Sequence, residues 1–146
     1  MRAEGRPPAE GTRTVLVTED NPLHMKIFKL NLAFKGFHVL EAENGERGLA
    51  LARSAHPSLI LVDLSLPKID GWQMIGLLQE DPQTRDIPVI VVSARQPADE
   101  REAMARLKVT AYVSKPFDPE ALMDLAERTI TGSHRLAINS QHDTDG

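Results

Sequence analysis

Four short apolar runs, each closed by a residue with chemistry, constrain this chain more than any other feature. Val15-Leu16-Val17-Thr18 leads into Glu19 and Asp20, and Leu59-Ile60-Leu61-Val62 into Asp63. Val89-Ile90-Val91-Val92 leads into Ser93, and Ala111-Tyr112-Val113-Ser114 into Lys115. Apolar runs of this length, bounded by turn residues, read as strands buried on both faces. Helical signals recur between them, and that alternation implies right-handed βαβ units and a parallel sheet covered on both sides. Ligands in such open sheets bind outside the carboxyl ends of the strands. Acid, acid, hydroxyl and cation are therefore delivered to one edge.

The remaining elements fit that frame. Strands are predicted over 14–18, 37–41, 58–62, 88–92 and 110–114. Helices are predicted from Pro22 to Lys35, Gly45 to Ala55, Trp72 to Glu80, Ala98 to Leu107 and Asp118 to Ile130. Asp20 or Asn21 caps the first helix, Pro22 suits its first turn, and Gly36 ends it. Asp118 caps the last, with Pro119 in the first helical position. The second strand carries His38 and Glu41 and reads as an edge. Residues 1–12 and 132–146 are polar and poor in apolar groups, and read as a flexible lead and tail around a domain over 13–131.

Composition sets outer bounds. A chain of 146 residues, 41% hydrophobic and 26% charged, is sized for one globular domain with a real core. With no cysteine, disulfides, thiolate metal sites and cysteine nucleophiles are excluded. A formal net charge of -4 and the lack of a basic cluster speak against direct DNA binding. No apolar run approaches the roughly 20 residues needed to span a bilayer. The charged, proline-bearing start does not read as a signal peptide, so a cytoplasmic protein is expected.

If the first and third strands are neighbours, Glu19, Asp20 and Asp63 converge. Two like charges about 4 Å apart repel by about 4 kcal/mol at an effective dielectric of about 20. Such a group raises its own pKa values or recruits a cation. Mg2+ suits it, as a hard ion that takes carboxylate and carbonyl oxygens and keeps several waters. An open Mg2+ site beside Lys115 and Ser93 suits a phosphoryl group, with Asp63 as a nucleophile for it.

The chain resembles the response-regulator receiver domain of two-component signalling, of the single-domain cell-cycle or phosphorelay type. The matching residues are Glu19-Asp20-Asn21, Asp63 with Leu66-Pro67 and Asp70-Gly71, Ser93-Ala94, Tyr112, and Lys115-Pro116-Phe117. The match covers about residues 13–131. The resemblance implies a flavodoxin-like (CheY-like) α/β sandwich with a five-stranded parallel sheet in the order 2-1-3-4-5 and five helices. It implies that Asp63 accepts phosphate from a histidine kinase or histidine phosphotransferase. Mg2+ would sit on Asp20, Asp63 and the Ser65 backbone carbonyl, with Glu19 reaching it through a water. Lys115 would pair with the phosphoryl oxygens, Ser93 would move to bond them, and Tyr112 would turn into the space vacated. The Lys115-Pro116 peptide is expected to be cis. Such a protein is a switch rather than an enzyme, self-phosphorylating and self-dephosphorylating only. No output segment is evident after Ile130, so a downstream regulatory protein is expected to read the signal. Homodimer pairing through the last face stays open.

Three departures from the family pattern stand out. Ser93 replaces the commoner Thr. Lys108 occupies the end of the fourth helix, where the family has Gly, and would resist a left-handed conformation by about 1 kcal/mol. Ser65 and Arg95 hold positions that in the family tune phosphoryl lifetime.

The first helix is apolar on two sides. Leu23, Ile27, Leu30 and Phe34 form one stripe, and Met25, Phe28 and Leu32 another, with Lys26 and Lys29 between. Burial of the helix between the sheet and the last helix accounts for this. A docking surface for a histidine-bearing helix is the sharper reading. His24 reads as a surface or half-buried residue, and Asp99-Glu100-Arg101-Glu102 as a solvated helix face.

Other functions fit less well. A docking pseudo-receiver would not need the full set of acids, hydroxyl and lysine. An aspartate-nucleophile phosphatase of the haloacid dehalogenase type needs an acid two residues after Asp63, where Ser65 stands. A flavin or nucleotide module would hold phosphate on a Gly-rich first loop, and Glu19-Asp20-Asn21 would repel it.

Overall fold

The computed structural model describes residues 12–139. Five strands, β1 (Thr14–Thr18), β2 (His38–Ala42), β3 (Leu59–Val62), β4 (Val89–Ser93) and β5 (Ala111–Ser114), alternate with five helices. The helices are α1 (Pro22–Phe34), α2 (Gly45–Ala55), α3 (Gly71–Glu80), α4 (Arg101–Arg106) and α5 (Pro119–Asn139). All strand pairings are parallel, in the order β2-β1-β3-β4-β5. The polar second strand is therefore an edge, as its sequence implies, and the apolar β1, β3 and β4 are central.

Each face of the sheet supports one core, and the split follows from the alternation of side chains along each strand. Leu16, Ile60, Val62 and Val91 face α2 and α3, packing with Leu49, Ala52, Met74 and Leu78. Val15, Val17, Leu61 and Ile90 face α1 and α5, packing with Phe28, Leu32, Leu122 and Ala126. Fully burying each such side chain contributes about 1.5–3 kcal/mol. Thr18 is the buried polar exception in β1, and its hydroxyl donates to the Leu61 carbonyl at 2.9 Å, tying β1 to β3.

The helix ends follow local chemistry. Asn21 caps α1, its side chain accepting from the Leu23 and His24 amides at 2.9 and 3.1 Å. Gly36 leaves that helix at φ +93°, a conformation that favours glycine. Asp70 caps α3 in a capping box with Gln73. The Asp118 carboxylate accepts from the Glu120 amide at 3.1 Å at the start of α5.

The fourth helix differs from the expectation. Instead of a helix from Ala98, a 3-10 turn over Pro97–Glu100 precedes a short α4. Glu100 leaves helical geometry at φ -110°, ψ 11°, and its carboxylate is held by Trp72 Nε1 at 2.6 Å. The helix then ends in an extended Leu107 at φ -107°, ψ 118°. Lys108 does not take a positive φ, so the strain expected there does not arise. The last helix runs past the expected end at Ile130, with non-helical φ and ψ at Gly132. The flexible lead read over 1–12 lies outside the described residues except for Thr12, and the tail lies outside from 140 onward.

Candidate functional site

Parallel pairing brings the ends of β1 and β3 side by side, with Thr18 opposite Val62. Glu19, Asp20 and Asp63 therefore leave the sheet at one point. A carboxylate oxygen from each lies within 4.8 Å of the others. Glu19 and Asp63 are buried and Asp20 is exposed, so the group opens to solvent on the Asp20 side. A cavity of about 430 Å³ beside Glu19 and Asp20 is bordered by Lys26, Lys29, Glu41 and Glu43.

Lys115 supplies the counter-charge. Its Nζ donates to Glu19 Oε1 at 2.9 Å and to Asp63 Oδ2 at 3.3 Å. It is placed by its own backbone, since the Lys115 amide donates to the Ser93 carbonyl at 2.8 Å. The Lys115-Pro116 peptide is cis, as the resemblance implies. Burial pushes the Glu19 carboxyl above the ordinary carboxylate range. The hydrogen bond from Lys115 opposes that shift, and the charge of Asp63 adds to it. Three convergent oxygen donors with one open side fit a hard divalent cation that keeps some of its water. Ser65 follows closely, its amide donating to Asp63 Oδ1 at 3.1 Å.

The loop after Asp63 is fixed from behind. A Cβ added at Gly71 would lie 2.7 Å from Leu64 Cα and 2.8 Å from the Asp63 carbonyl oxygen. The start of α3 therefore packs backbone to backbone against the segment that carries the acid. A glycine at position 71, directly after the Asp70 cap, permits this close approach.

Ser93 and Tyr112 connect to the acids indirectly. Ser93, fully buried at the end of β4, accepts from the Arg95 amide at Oγ over 3.0 Å. The Tyr112 hydroxyl donates to the Arg95 carbonyl at 2.8 Å. Arg95 Nη2 lies 3.3 Å from the Leu64 carbonyl, and its Nη1 lies 3.5 Å from Glu100 Oε1. Glu100 in turn accepts from the Trp72 indole at 2.6 Å. Arg95 thus bridges the loop after the central acid to the hydroxyl, the tyrosine and α3.

Two parts of this arrangement are not visible in the sequence. His24 Nδ1 lies 3.0 Å from Lys115 Nζ and 3.8 Å from Glu19 Oε2, so the histidine borders the site rather than merely lying on the surface. Glu100 is not simply part of a solvated face, since it sits within the Trp72-Arg95 network. Neither contact has a sequence signal, because 91 and 28 positions separate the partners.

The comparisons agree with this geometry. Residues 15–127 match the profile of the response regulator receiver domain. The chain is 37% identical over 106 residues to the polar-differentiation response regulator DivK of Brucella ovis, covering 73% of this chain and 86% of that protein. A receiver domain of a sensor histidine kinase from Pseudomonas aeruginosa, solved with a magnesium ion coordinated in its active-site cleft, superposes with TM-score 0.76 at 25% identity. That match covers 82% of this chain and 98% of that one. A sensor protein from a Polaromonas species gives TM-score 0.72 at 31% identity, over 81% and 95% of the two chains. A chain whose sheet order, acid group and lysine coincide with a profile match over most of its length belongs to the response-regulator receiver domain family of two-component signalling.

Proposed function

We propose that this chain is a phosphorylation switch whose acceptor is Asp63. The observation that carries the proposal is the convergence of Glu19, Asp20 and Asp63 within 4.8 Å, with Lys115 Nζ bonded to the two buried members. A carboxylate so placed is a competent nucleophile only if the charge it gains on phosphorylation is balanced. Asp20, Asp63 and the Ser65 carbonyl would hold Mg2+, with Glu19 acting through water. When bound, the ion supplies neutralising charge for the phosphoryl oxygens.

The step assigned to this chain is direct. An Asp63 carboxylate oxygen attacks phosphorus, an O–P bond forms, and the P–N bond to the donor imidazole breaks with its electron pair staying on nitrogen. Lys115 moves from the acids to the new phosphoryl oxygens. Ser93 Oγ gives up the Arg95 amide to bond a phosphoryl oxygen, and Tyr112 follows because its hydroxyl is held by Arg95. The signal would pass to a downstream regulatory protein through α4, β5 and α5, in the cytoplasm.

The phosphodonor is a histidine kinase or histidine phosphotransferase. Leu23, Leu30 and Phe34 are 64%, 62% and 89% exposed on α1, while Met25, Phe28 and Leu32 are buried against the sheet and α5. Burial therefore accounts for one of the two apolar stripes. The outer one starts beside His24, at the mouth of the site, where a histidine-bearing helix must approach.

The test is phosphorylation with acetyl phosphate and Mg2+, read by intact mass. The wild type gains one acid-labile phosphoryl group and Asp63→Asn gains none. Equal labelling of the two proteins would overturn the assignment. Charge substitutions at the exposed Leu23 and Leu30 should slow transfer from a phosphotransferase while leaving labelling by acetyl phosphate intact. Unchanged transfer in these variants would remove the docking surface.

A further inference from the structure

At the opposite edge of the sheet from the acids, the α3–β4 and α4–β5 connections border an open concavity of about 580 Å³. Its size lies in the range of small-molecule sites, roughly 300–1,000 Å³. Arg85, Arg106 and Lys108 line it against one carboxylate, Asp86. None of the three cations is in an ion pair among the described residues. In a chain whose formal net charge is -4, three uncompensated cations around one concavity are a local reversal of sign.

The walls are held by hydrogen bonds that do not involve the charged groups. Gln79 Nε2 donates to the Lys108 carbonyl at 2.7 Å, fixing the segment after α4 to α3. On the other side the Thr84 hydroxyl donates to the Leu78 carbonyl at 2.7 Å, and the Ile87 amide to the Thr84 carbonyl at 3.1 Å. The Thr110 amide donates to the Val89 carbonyl at 2.8 Å and closes the floor. The backbone of the rim is thus in place, while the three cationic side chains are exposed and become ordered on binding.

We infer that this cavity binds a nucleoside diphosphate. Two guanidinium groups and an ammonium are the side-chain types that bind the oxygens of a diphosphate, which accept bidentate hydrogen bonds. Ile87, Pro88 and Val109 give an apolar wall for the base. Asp86 is unfavourable for a purely anionic ligand, but it can accept from an N–H group of a base. An acidic peptide would use the cations and leave Asp86 repelling it. Lys108, which departs from the family pattern and has no part in the acid site, supplies the third cation.

The experiment is a titration of the intact chain with ADP or GDP, followed by amide nitrogen-15 NMR in EDTA, so that the acid site cannot recruit the nucleotide through a metal. The expected result is saturable shifts over 85–89 and 106–110 with none at Glu19 or Asp63. Arg85→Gln with Arg106→Gln should weaken binding by at least roughly tenfold, about 1.4 kcal/mol. The same double variant should respond normally to beryllofluoride with Mg2+, which shows that it is folded. Lys108→Gln alone should weaken binding several-fold. No shifts at millimolar nucleotide, or shifts unaffected by the double variant, would overturn the inference. So would a polyglutamate peptide that moves the same amides when neither nucleotide does.

Discussion

Lys115 Nζ lies 2.9 Å from Glu19 Oε1, although 96 positions separate the two residues, and Glu19 is only 1% exposed. The lysine is the internal cation of the acid group. It offsets charge that the sheet has forced together, and under the proposed switch it is the group that leaves the acids when a phosphoryl group arrives.

Replacing Lys115 by Ala should therefore separate metal binding from response. The variant keeps Glu19, Asp20 and Asp63, so Mg2+ should still bind, and more tightly than to the wild type. Beryllofluoride should no longer produce the spectral change of activation. Without metal the fold should lose about 1–3 kcal/mol at neutral pH, because buried carboxylates have lost a partner. The sign with pH follows from Glu19, which burial already raises above 4.5 and which loses one of its lowering influences. A carboxyl whose folded pKa is raised is best tolerated protonated. Its penalty appears as pH rises from the ordinary value through the folded one. Thermal unfolding should show the variant closest to wild type in acid and furthest from it at neutral pH, with added Mg2+ restoring much of the difference.

Ser93→Ala should leave phosphorylation of Asp63 intact and uncouple Tyr112. The Arg95 amide loses its acceptor at 3.0 Å, at a cost of about 0.5–1.5 kcal/mol. Intact mass after acetyl phosphate treatment should match wild type, while the Tyr112 ring signals in NMR should stay unchanged on phosphorylation. Ser93→Thr retains the hydroxyl and should restore the coupling.

Trp72 is the only tryptophan in the chain, and its indole nitrogen is bonded to Glu100 at 2.6 Å. The same Glu100 oxygen lies 3.5 Å from Arg95 Nη1. Trp72 emission should shift when wild type binds beryllofluoride with Mg2+, and should not shift in Asp63→Asn. Glu100→Ala should alter the resting emission and shrink the response. A full response in Glu100→Ala would show that Arg95 does not communicate with α3 by this route.

Gly71→Ala tests the backing of the acid loop. The added methyl would lie 2.7 Å from a backbone carbon, and a backbone cannot move as cheaply as a side-chain tip. A loss of about 1–3 kcal/mol in urea unfolding is expected, with weaker Mg2+ binding as Asp63 is displaced.

Arg53 and Asp81 provide a pH-dependent tie between α2 and the end of α3. Arg53 Nε lies 2.8 Å from Asp81 Oδ2, and that bond holds the Asp81 carboxyl below its ordinary 3.8. A depressed carboxylate stabilises above its unfolded pKa and loses that contribution as pH falls through the folded value. Arg53→Gln should therefore melt slightly below wild type at pH 7 and match it in strong acid.

Much of the molecule is legible along the chain. The apolar runs that end in Glu19, Asp63 and Ser93 mark central strands because a strand buried on both faces needs no alternation. The polar positions His38 and Glu41 mark the edge, and Asn21, Gly36 and Asp118 mark helix ends by local hydrogen bonding and backbone conformation. Those signals lie within a few residues of what they control. The fourth helix departs from its local pattern for the opposite reason. Glu100 looks like part of a solvated helical turn, yet its backbone leaves the helix where its carboxylate meets Trp72, which lies in another element.

Neighbouring residues specify the strand ends and the chemistry carried on each, because burial and local turn preferences act over a few positions. The folded arrangement of the elements places Lys115 between Glu19 and Asp63, sets His24 beside them, and links Ser93 to Tyr112 through Arg95. It also brings Arg85, Arg106 and Lys108 to one cavity. These are relations across different elements, fixed by strand order and helix packing, and no local pattern encodes a distance between elements.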